Sequence, residues 1–285
     1  MSGPEQAAPG VFRLTCETPP AAGWPRPFFY LLGRKNLVLI DTGYREDQTV
    51  AKLQSVLAGN SGRIDKLIIT HGHIDHAGAM AEVKAHFAPR ILAHELEKDL
   101  LNARGMARAI DEWIRDEPVI ESEAGPLKVL STPGHSPGHI CLFLENKRAL
   151  FTGDLVVGDG TSFVGPPDGD MGRYMQSLEK IKQLHAAIMF PGHGPVIRNP
   201  EPHLASLVEH RLLREVQILL LLKQGPATTH ELEARIYTGL IHPGLYRAAE
   251  VTVAGHLAKL EEEGKVASEI IGGEKKYRLL VPVPF

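Results

Sequence analysis

The chain has 285 residues, of which 43% are hydrophobic and 23% are charged. This length and composition suit one large domain, or one large and one small domain, and exclude a disordered chain or a small disulfide scaffold. The formal net charge is −3, so the molecule as a whole lacks the basic field of a nucleic-acid-binding protein. Histidine is abundant, with 14 copies, and the positions of these residues decide their role.

The N-terminal ten residues, MSGPEQAAPG, have neither the basic start nor the apolar run of a signal peptide. The longest apolar run, residues 218–222, is too short to span a bilayer. The two cysteines, Cys16 and Cys141, are too few for a disulfide framework and indicate free thiols in a reducing compartment. We therefore expect a cytoplasmic protein with no membrane contact.

Short apolar runs bounded by glycine or charged residues predict strands between residues 11 and 197. These runs are 26–32, 36–43, 65–70, 90–95, 127–132, 140–146, 148–154 and 187–193. Helical patterns lie between them at 47–57, 79–87 and 173–184. So many strands, interleaved with helices, predict a layered sheet core that is covered by helices.

The composition changes after Pro200. The predicted elements there are a long amphipathic helix at 205–223, a second helix with Thr229 as its N-cap, a third helix at 245–263, and a hairpin around Gly272-Gly273. Three helices followed by a hairpin are typical of a winged helix. We therefore divide the chain into a domain of residues 1–200 and a small winged-helix-like domain of residues 201–285.

The strongest motif is T-H-G-H-I-D-H at residues 70–76, which places three histidines and one aspartate directly after a predicted strand. Three more predicted strands end in small or turn-forming residues followed by one His or Asp, namely His135, Asp154 and His193. Functional side chains collect in loops that a rigid scaffold positions. We therefore expect these residues to converge on the motif, and imidazole and carboxylate groups are the ligands that zinc accepts.

This pattern resembles the metallo-β-lactamase-fold hydrolases, and the resemblance covers residues 11 to 200 approximately. It implies an α+β fold, namely an αββα sandwich with two metal ions at one edge. It also implies the ligands, which are His71, His73 and His135 for the first ion, Asp75, His76 and His193 for the second, and Asp154 bridging both. Asp41 matches an early aspartate of the family that usually supports a metal-bound histidine.

The resemblance implies hydrolytic chemistry. Two divalent ions about 3.5–4 Å apart share a hydroxide that attacks an ester, thioester, amide or phosphodiester. We expect Asp75 and Asp154 as the catalytic carboxylates and two Zn²⁺ ions, with Mn²⁺ or Fe²⁺ as alternatives. The fold also includes flavodiiron-type oxidoreductases, but these have glutamate at the position of His73 and an added flavin domain that the remaining length cannot hold.

The tail narrows the resemblance to the β-lactamase-like protein 2 branch, whose members carry a winged helix after the metal domain. The matching segments are YMQSL at 174–178, PGHGPVI at 191–197, HR-x-x-RE-x-QI at 210–218, and the His256-Leu257-x-x-Leu260 spacing. Animal members are associated with RNA cleavage. However, residues 205–285 contain ten basic and ten acidic residues, whereas a groove-reading helix needs a positive stripe.

We therefore expect a zinc-dependent hydrolase whose substrate is a small ester or thioester. Two alternatives stay open, namely a metal-dependent endoribonuclease or phosphodiesterase acting on single-stranded RNA, and a winged-helix binding protein with a vestigial metal site. Neither the substrate nor the oligomeric state follows from the sequence, although the helix that begins at Ala205 could serve a dimer. We expect Tyr174 in the core, and His139 suits either a structural or a supporting role.

Overall fold

The computed structural model describes residues 5–15, 26–45, 47–58 and 62–280. Within these residues, a first sheet contains seven strands that lie side by side in chain order. They are β1 (Glu5–Ala8), β2 (Val11–Thr15), β3 (Phe28–Leu32), β4 (Asn36–Ile40), β5 (Arg63–Ile69), β6 (Arg90–His94) and β7 (Glu112–Ile114). Strands β1 to β4 pair antiparallel, whereas β4 to β7 pair in parallel.

A second sheet, again within the described ranges, has five strands in the spatial order β12-β11-β10-β9-β8. They are β8 (Val119–Ile120), β9 (Leu127–Ser131), β10 (Ile140–Leu144), β11 (Ala149–Gly153) and β12 (Ile188–Pro191). The pair of β11 and β12 is parallel, and the other pairs are antiparallel. Since β9 and β11 both run opposite to β10, the carboxyl ends of β9, β11 and β12 lie at the same edge.

Helices cover the outer face of each sheet. The first sheet packs against α1 (Asp47–Ala58), α2 (Ile74–Ala77), α3 (Met80–Phe87) and α4 (Lys98–Ala103). The second sheet packs against α5 (Met171–Lys182) and the beginning of α6 (Pro200–Leu222). The layer order is therefore helix, sheet, sheet, helix, and the predicted αββα sandwich is confirmed.

The apolar run of β4 shows how this layering follows from the sequence. Side chains alternate between the two faces of a strand. Val38 and Ile40 accordingly point into the core between the sheets, whereas Leu37 and Leu39 pack against the helices. In the second sheet Cys141 is a buried free thiol, while Cys16 lies outside the described residues.

The C-terminal unit contains α7 (Thr229–Tyr237), α8 (Tyr246–Glu262) and a hairpin of β13 (Val266–Ile271) and β14 (Glu274–Leu279). Together with the end of α6 these elements enclose their own apolar core, and the predicted winged helix is confirmed. Helix α6 joins the two cores, since Leu204 lies in the core of the second sheet and Ile218 in that of the winged helix. The division at residue 200 stays a prediction, and α6 begins at that residue.

Some element boundaries differ from the sequence prediction. Thr228, not Thr229, caps α7, because its Oγ1 accepts a hydrogen bond from the Glu231 N–H at 3.0 Å and the Glu231 carboxylate accepts one from the Thr228 N–H at 2.7 Å. Helix α6 begins at Pro200 rather than at residue 205, since proline suits the first helical position. The strands β1, β2, β7 and β8 were missed because each has only two to five residues and at most three apolar ones.

Across the described ranges, no helix combines the length and the apolar character that crossing a lipid bilayer requires.

Candidate metal centre

Five strand ends meet at one edge of the two sheets. Strands β4 and β5 lead into Asp41 and the motif at residues 70–76, and both belong to the parallel part of the first sheet. Strands β9, β11 and β12 lead into the segments that carry His135, Asp154 and His193. The structure therefore brings together every residue that the sequence singled out as a candidate ligand, together with Asp41.

The candidate ligand atoms form two groups, and within each group they all lie within 4.8 Å of one another. The first group is His71, His73 and His135, and the second group is Asp75, His76, Asp154 and His193. Asp154 lies between the groups: its carboxylate oxygens are 3.3 Å from His76 Nε2 and 3.7 Å from His135 Nε2. This is the position that a bridging ligand would occupy.

In three of the imidazoles the outer nitrogen, that is, the ring nitrogen directed away from the other candidate ligands, is hydrogen-bonded to a group that can only accept. These pairs are His76 Nδ1 with the Asp41 carboxylate at 2.8 Å, His135 Nδ1 with the carbonyl of Phe163 at 2.6 Å, and His193 Nδ1 with the carbonyl of Arg26 at 3.2 Å. Each Nδ1 must therefore carry the proton. The Nε2 atom of each ring therefore faces its group, and in the neutral ring it offers the lone pair that metal ligation requires.

His71 is oriented through Thr70. The Thr70 hydroxyl donates to the Asp41 carboxylate at 2.8 Å, so its oxygen accepts from His71 Nδ1 at 3.1 Å. The Thr70 N–H also donates to Asp41, at 2.7 Å. These bonds leave His71 Nε2 with a lone pair, and this atom is buried without a hydrogen-bond partner.

The first group fits a divalent cation. His73 Nδ1 lies 2.8 Å from His135 Nε2, and His73 Nε2 lies 3.4 Å from an oxygen of Asp168. With the proton of His73 on Nε2, towards Asp168, the two facing nitrogens would both offer lone pairs to a cation. Burial, helped by the neighbouring imidazoles, keeps the pKa of His71 well below its usual value and lowers the pKa of His135 to about 4. Both rings are therefore neutral and able to coordinate a metal.

The second group combines imidazoles with carboxylates. Burial alone would raise the pKa of Asp75, but His76 and His193 outweigh it and lower this pKa to about 2. Burial would lower the pKa of His193, but the carboxylates of Asp154 and Asp75 raise it to about 10. The negative charge that stabilises a proton on His193 equally stabilises a metal ion, and the mixture of nitrogen and carboxylate donors suits zinc.

Glu97 connects two of the loops that carry ligands, and sequence reasoning missed it. This side chain is fully buried. One oxygen accepts from the Gly72 N–H, and the other accepts from the Ser136 hydroxyl and the Gly138 N–H, each at 2.6 Å. Nothing in the sequence around Glu97 marks it, because its partners belong to segments that are distant along the chain.

Arg104 and Asp168 are two further residues that the sequence did not indicate. The Arg104 guanidinium donates to the carbonyl of Gly72 at 2.7 Å and lies 3.9 Å from the Asp168 carboxylate. Asp168 in turn faces His73 Nε2. The two side chains therefore hold the outer side of the loop that carries His71 and His73.

His139 and Tyr174 are structural rather than members of either group. His139 is buried, with Nδ1 2.9 Å from the Thr132 hydroxyl, and its Nε2 accepts a hydrogen bond from the Asp154 N–H at 3.1 Å. It therefore fixes the backbone that carries Asp154. Tyr174 lies in the apolar core of the second sheet, as expected.

Comparison with protein families identifies both parts of the chain. The model of the metallo-β-lactamase superfamily matches residues 22–193. The model of the β-lactamase associated winged helix domain matches residues 228–273. The first match covers more than half of the chain and contains all of the candidate ligands.

Individual relatives agree with these matches. A β-lactamase-like protein 2 homolog of Drosophila melanogaster is 32% identical, over 87% of this chain and 86% of that protein. An atrochrysone carboxyl ACP thioesterase of Aspergillus fumigatus is 31% identical, over 87% of this chain and 80% of that protein. The solved structure of a β-lactamase domain protein from Burkholderia ambifaria shares the fold, with a TM-score of 0.86 at 18% identity over 97% of this chain and 93% of that one. The chain therefore belongs to the metallo-β-lactamase superfamily of hydrolases and carries the winged helix domain associated with it.

Proposed function

We propose that this protein is a zinc-dependent hydrolase whose substrate is a small thioester or ester. The observation that carries the proposal is the convergence of five imidazoles and two carboxylates in two groups, with His73 Nδ1 only 2.8 Å from His135 Nε2. His71, His73 and His135 would hold one ion, Asp75, His76 and His193 the other, and Asp154 both. When bound, two such ions lower the pKa of the attacking water and polarise the carbonyl under attack.

The residues of the chain keep these ligands in place before any substrate arrives. Asp41 holds His76 and, through Thr70, also His71, so one carboxylate orients an imidazole in each group. The Asp75 carboxylate, with its pKa of about 2, stays ionised throughout the neutral range. A site that is rigid in this way does not have to reorganise when charge develops in the transition state.

The charges beside the two groups favour an ester or thioester over a polyanion. Asp168, 3.4 Å from His73, adds a carboxylate to the site. The nearby cation, Arg104, is already engaged by the carbonyl of Gly72 and by Asp168. Ile74, within the motif, is 52% exposed and offers apolar surface for an acyl group. The relatives named as thioesterases support the same choice.

The winged helix gives no support to the nucleic-acid alternative. A protein of this type reads DNA by placing its last helix in a groove. Here that helix is α8, and a side chain at Gly255 would come within 2.7 Å of the carbonyl oxygen of Val164 in the metal domain. The face of α8 that contains Gly255 is therefore covered by the chain itself.

The test is an activity panel on the zinc-loaded protein, with an acyl thioester, a carboxylic ester, bis-p-nitrophenyl phosphate and single-stranded RNA. We expect turnover of the thioester or ester that disappears on chelation and in Asp154→Ala, but persists in the exposed control Asp99→Ala. RNA cleavage without thioester or ester turnover would replace our proposal with the nuclease alternative. Unchanged activity in Asp154→Ala would exclude metal-dependent hydrolysis at this centre.

A further inference from the structure

One loop, residues 162–169, holds the outer nitrogens of two imidazoles of the first group. The carbonyl of Phe163 accepts from His135 Nδ1 at 2.6 Å, and an oxygen of Asp168 lies 3.4 Å from His73 Nε2. In the second group, by contrast, the outer nitrogens are held by Asp41 and by the carbonyl of Arg26. Any displacement of loop 162–169 would therefore disturb the first group selectively.

This loop packs directly against α8 of the winged helix, backbone against backbone. A Cβ atom at Gly255 would lie 2.7 Å from the carbonyl oxygen of Val164 and 3.1 Å from the Cα of Gly165. Gly165 in turn faces the carbonyl of Val251 so closely that a Cβ atom there would overlap it. Glycine in the interior of a helix costs about 1 kcal/mol relative to alanine. The close approach of the two backbones gives a physical reason for Gly255.

Helix α6 contacts the same loop through Arg211. This side chain is 1% exposed, and its Nη2 donates to the carbonyl of Ser162. Its guanidinium also lies over the ring of Tyr174, 5.1 Å from the centroid. The backbone of Tyr174 is packed so tightly on Gly134, the residue before His135, that a Cβ atom at Gly134 would overlap it. Arg211 therefore supports the first group indirectly, both through loop 162–169 and through Tyr174, which packs on the residue before His135.

We propose that the winged-helix unit is a positioning element of the first metal-binding group. Helix α8, through Gly255, and helix α6, through Arg211, hold loop 162–169, which in turn orients His73 and His135. The inference rests on the proposed function in that these imidazoles bind a metal ion. It gives the winged helix a role in the hydrolase itself, since Gly255 and Arg211 contact the loop that holds two candidate ligands.

The test compares Gly255→Ala with Gly172→Ala, a glycine in α5 whose Cβ atom would meet only the half-buried side chain of the N-cap residue Asp170, at 3.3 Å. Metal-free protein is titrated with Co²⁺ and with Zn²⁺, and the affinity of each of the two ions is measured. We expect Gly255→Ala to weaken the binding of the ion in the first group by about 10-fold or more, as loss of a hydrogen bond that supports a ligand usually does. Binding of the ion in the second group should be unaffected, and Gly172→Ala should bind both ions as the wild type does.

A second readout needs no metal. Long-range ¹H–¹⁵N spectra of the metal-free protein report which ring nitrogen of His73 and of His135 carries the proton. We expect both rings to change in Gly255→Ala and to stay as in the wild type in Gly172→Ala. Arg211→Gln, which adds no volume to the interface, should change the His135 ring in the same way, and it replaces Gly255→Ala if that variant does not fold.

The outcomes separate the two proposals. If the wild type binds two ions and Gly255→Ala binds them equally well with unchanged rings, the positioning role is wrong and the proposed function stands. If the wild type takes up no divalent ion, the proposed function is wrong. The ring spectra of the metal-free variants then still decide whether the winged helix orients His73 and His135.

Discussion

The carboxylate of Asp41 accepts a hydrogen bond from Nδ1 of His76 at 2.8 Å, and both side chains are almost completely buried. The same carboxylate accepts from the Thr70 N–H and the Thr70 hydroxyl. One residue at the end of β4 therefore fixes the ring of His76 and the start of the motif that follows β5. Asp41 lies at a φ of 59°, in the left-handed region, which aspartate tolerates better than most residues.

Asp41→Asn should lower the affinity of the second group for its metal ion by about 10- to 100-fold. An amide cannot accept all three of these hydrogen bonds, because one of its two ends only donates. The buried donors left without an acceptor should also lower the free energy of unfolding by about 1–3 kcal/mol. Metal titration and urea denaturation measure the two effects. Asp99→Asn, on the exposed surface of α4, is the control, and equal effects of the two substitutions would contradict this role of Asp41.

Glu97→Gln should destabilise the protein by about 1–3 kcal/mol, because the carboxylate accepts three buried hydrogen bonds that an amide cannot all accept. It should also reduce turnover, since Glu97 ties the Gly72 loop to the Gly138 loop. The neighbouring substitution Glu95→Gln breaks an exposed ion pair with Arg115 and should cost at most about 1 kcal/mol. Denaturation curves of the two variants give the comparison, and a Glu97→Gln protein as stable as Glu95→Gln would refute the prediction.

Gly192→Ala should remove activity while the protein still folds. A Cβ atom at this position would lie 2.5 Å from Cε1 of His76 and 2.6 Å from Oδ1 of Asp154. Neither side chain can move away without leaving its group, since His76 is held by Asp41. We expect a loss of thioester or ester turnover and weaker binding of one ion, with a far-ultraviolet circular dichroism spectrum like that of the wild type. Gly172→Ala is again the control, and full activity of Gly192→Ala would show that the site is looser than these distances indicate.

The fold and the convergence of the candidate ligands could be predicted because each ligand follows a short, strongly apolar strand. The motif at residues 70–76 and the strand ends before His135, Asp154 and His193 are local patterns, and parallel strands place such ends at one edge. The contacts around the ligands could not be predicted. Backbone carbonyls such as that of Phe163 accept hydrogen bonds whatever the residue type, so the sequence carries no trace of them.

The docking of the winged helix also lies beyond what the sequence predicts. Gly255 within the third predicted helix reads as a loss of helix propensity, and only the close carbonyl of Val164 explains it. Arg211 stands on the predicted amphipathic helix and within the segment 210–218, and neither pattern predicts that its side chain is only 1% exposed. Both residues contact a loop that is distant in sequence, which no local pattern indicates.

Zinc should raise the melting temperature of the metal-free protein. An ion that binds the folded state alone stabilises it by about 2.7 kcal/mol when its free concentration is 100 times its dissociation constant. Mg²⁺ at the same concentration should have little effect, because most of the converging donors are imidazole nitrogens. Thermal denaturation with each ion, repeated on Asp154→Ala, measures the difference. Equal melting temperatures with and without zinc would contradict a metal centre at this edge.

Glu123 should make stability depend on pH between 4.5 and about 2. Its carboxylate accepts hydrogen bonds from the N–H groups of Lys35, Asn36 and Arg34 at 2.8, 3.0 and 3.0 Å, and these lower its pKa from 4.5 to about 2. Because the pKa is lower in the folded state, the stabilisation is complete above pH 4.5 and is lost as the pH falls towards 2.

Glu123→Gln should therefore be less stable than the wild type at pH 7, and the difference should shrink below pH 4.5 and vanish near pH 2. Urea denaturation of metal-free wild type and variant across this range measures the difference, in which the titration of all other groups cancels. Glu121→Gln, at an exposed glutamate two positions away, is the control. A difference between Glu123→Gln and the wild type that stays constant with pH would mean that the bonds to the backbone do not stabilise the charged carboxylate.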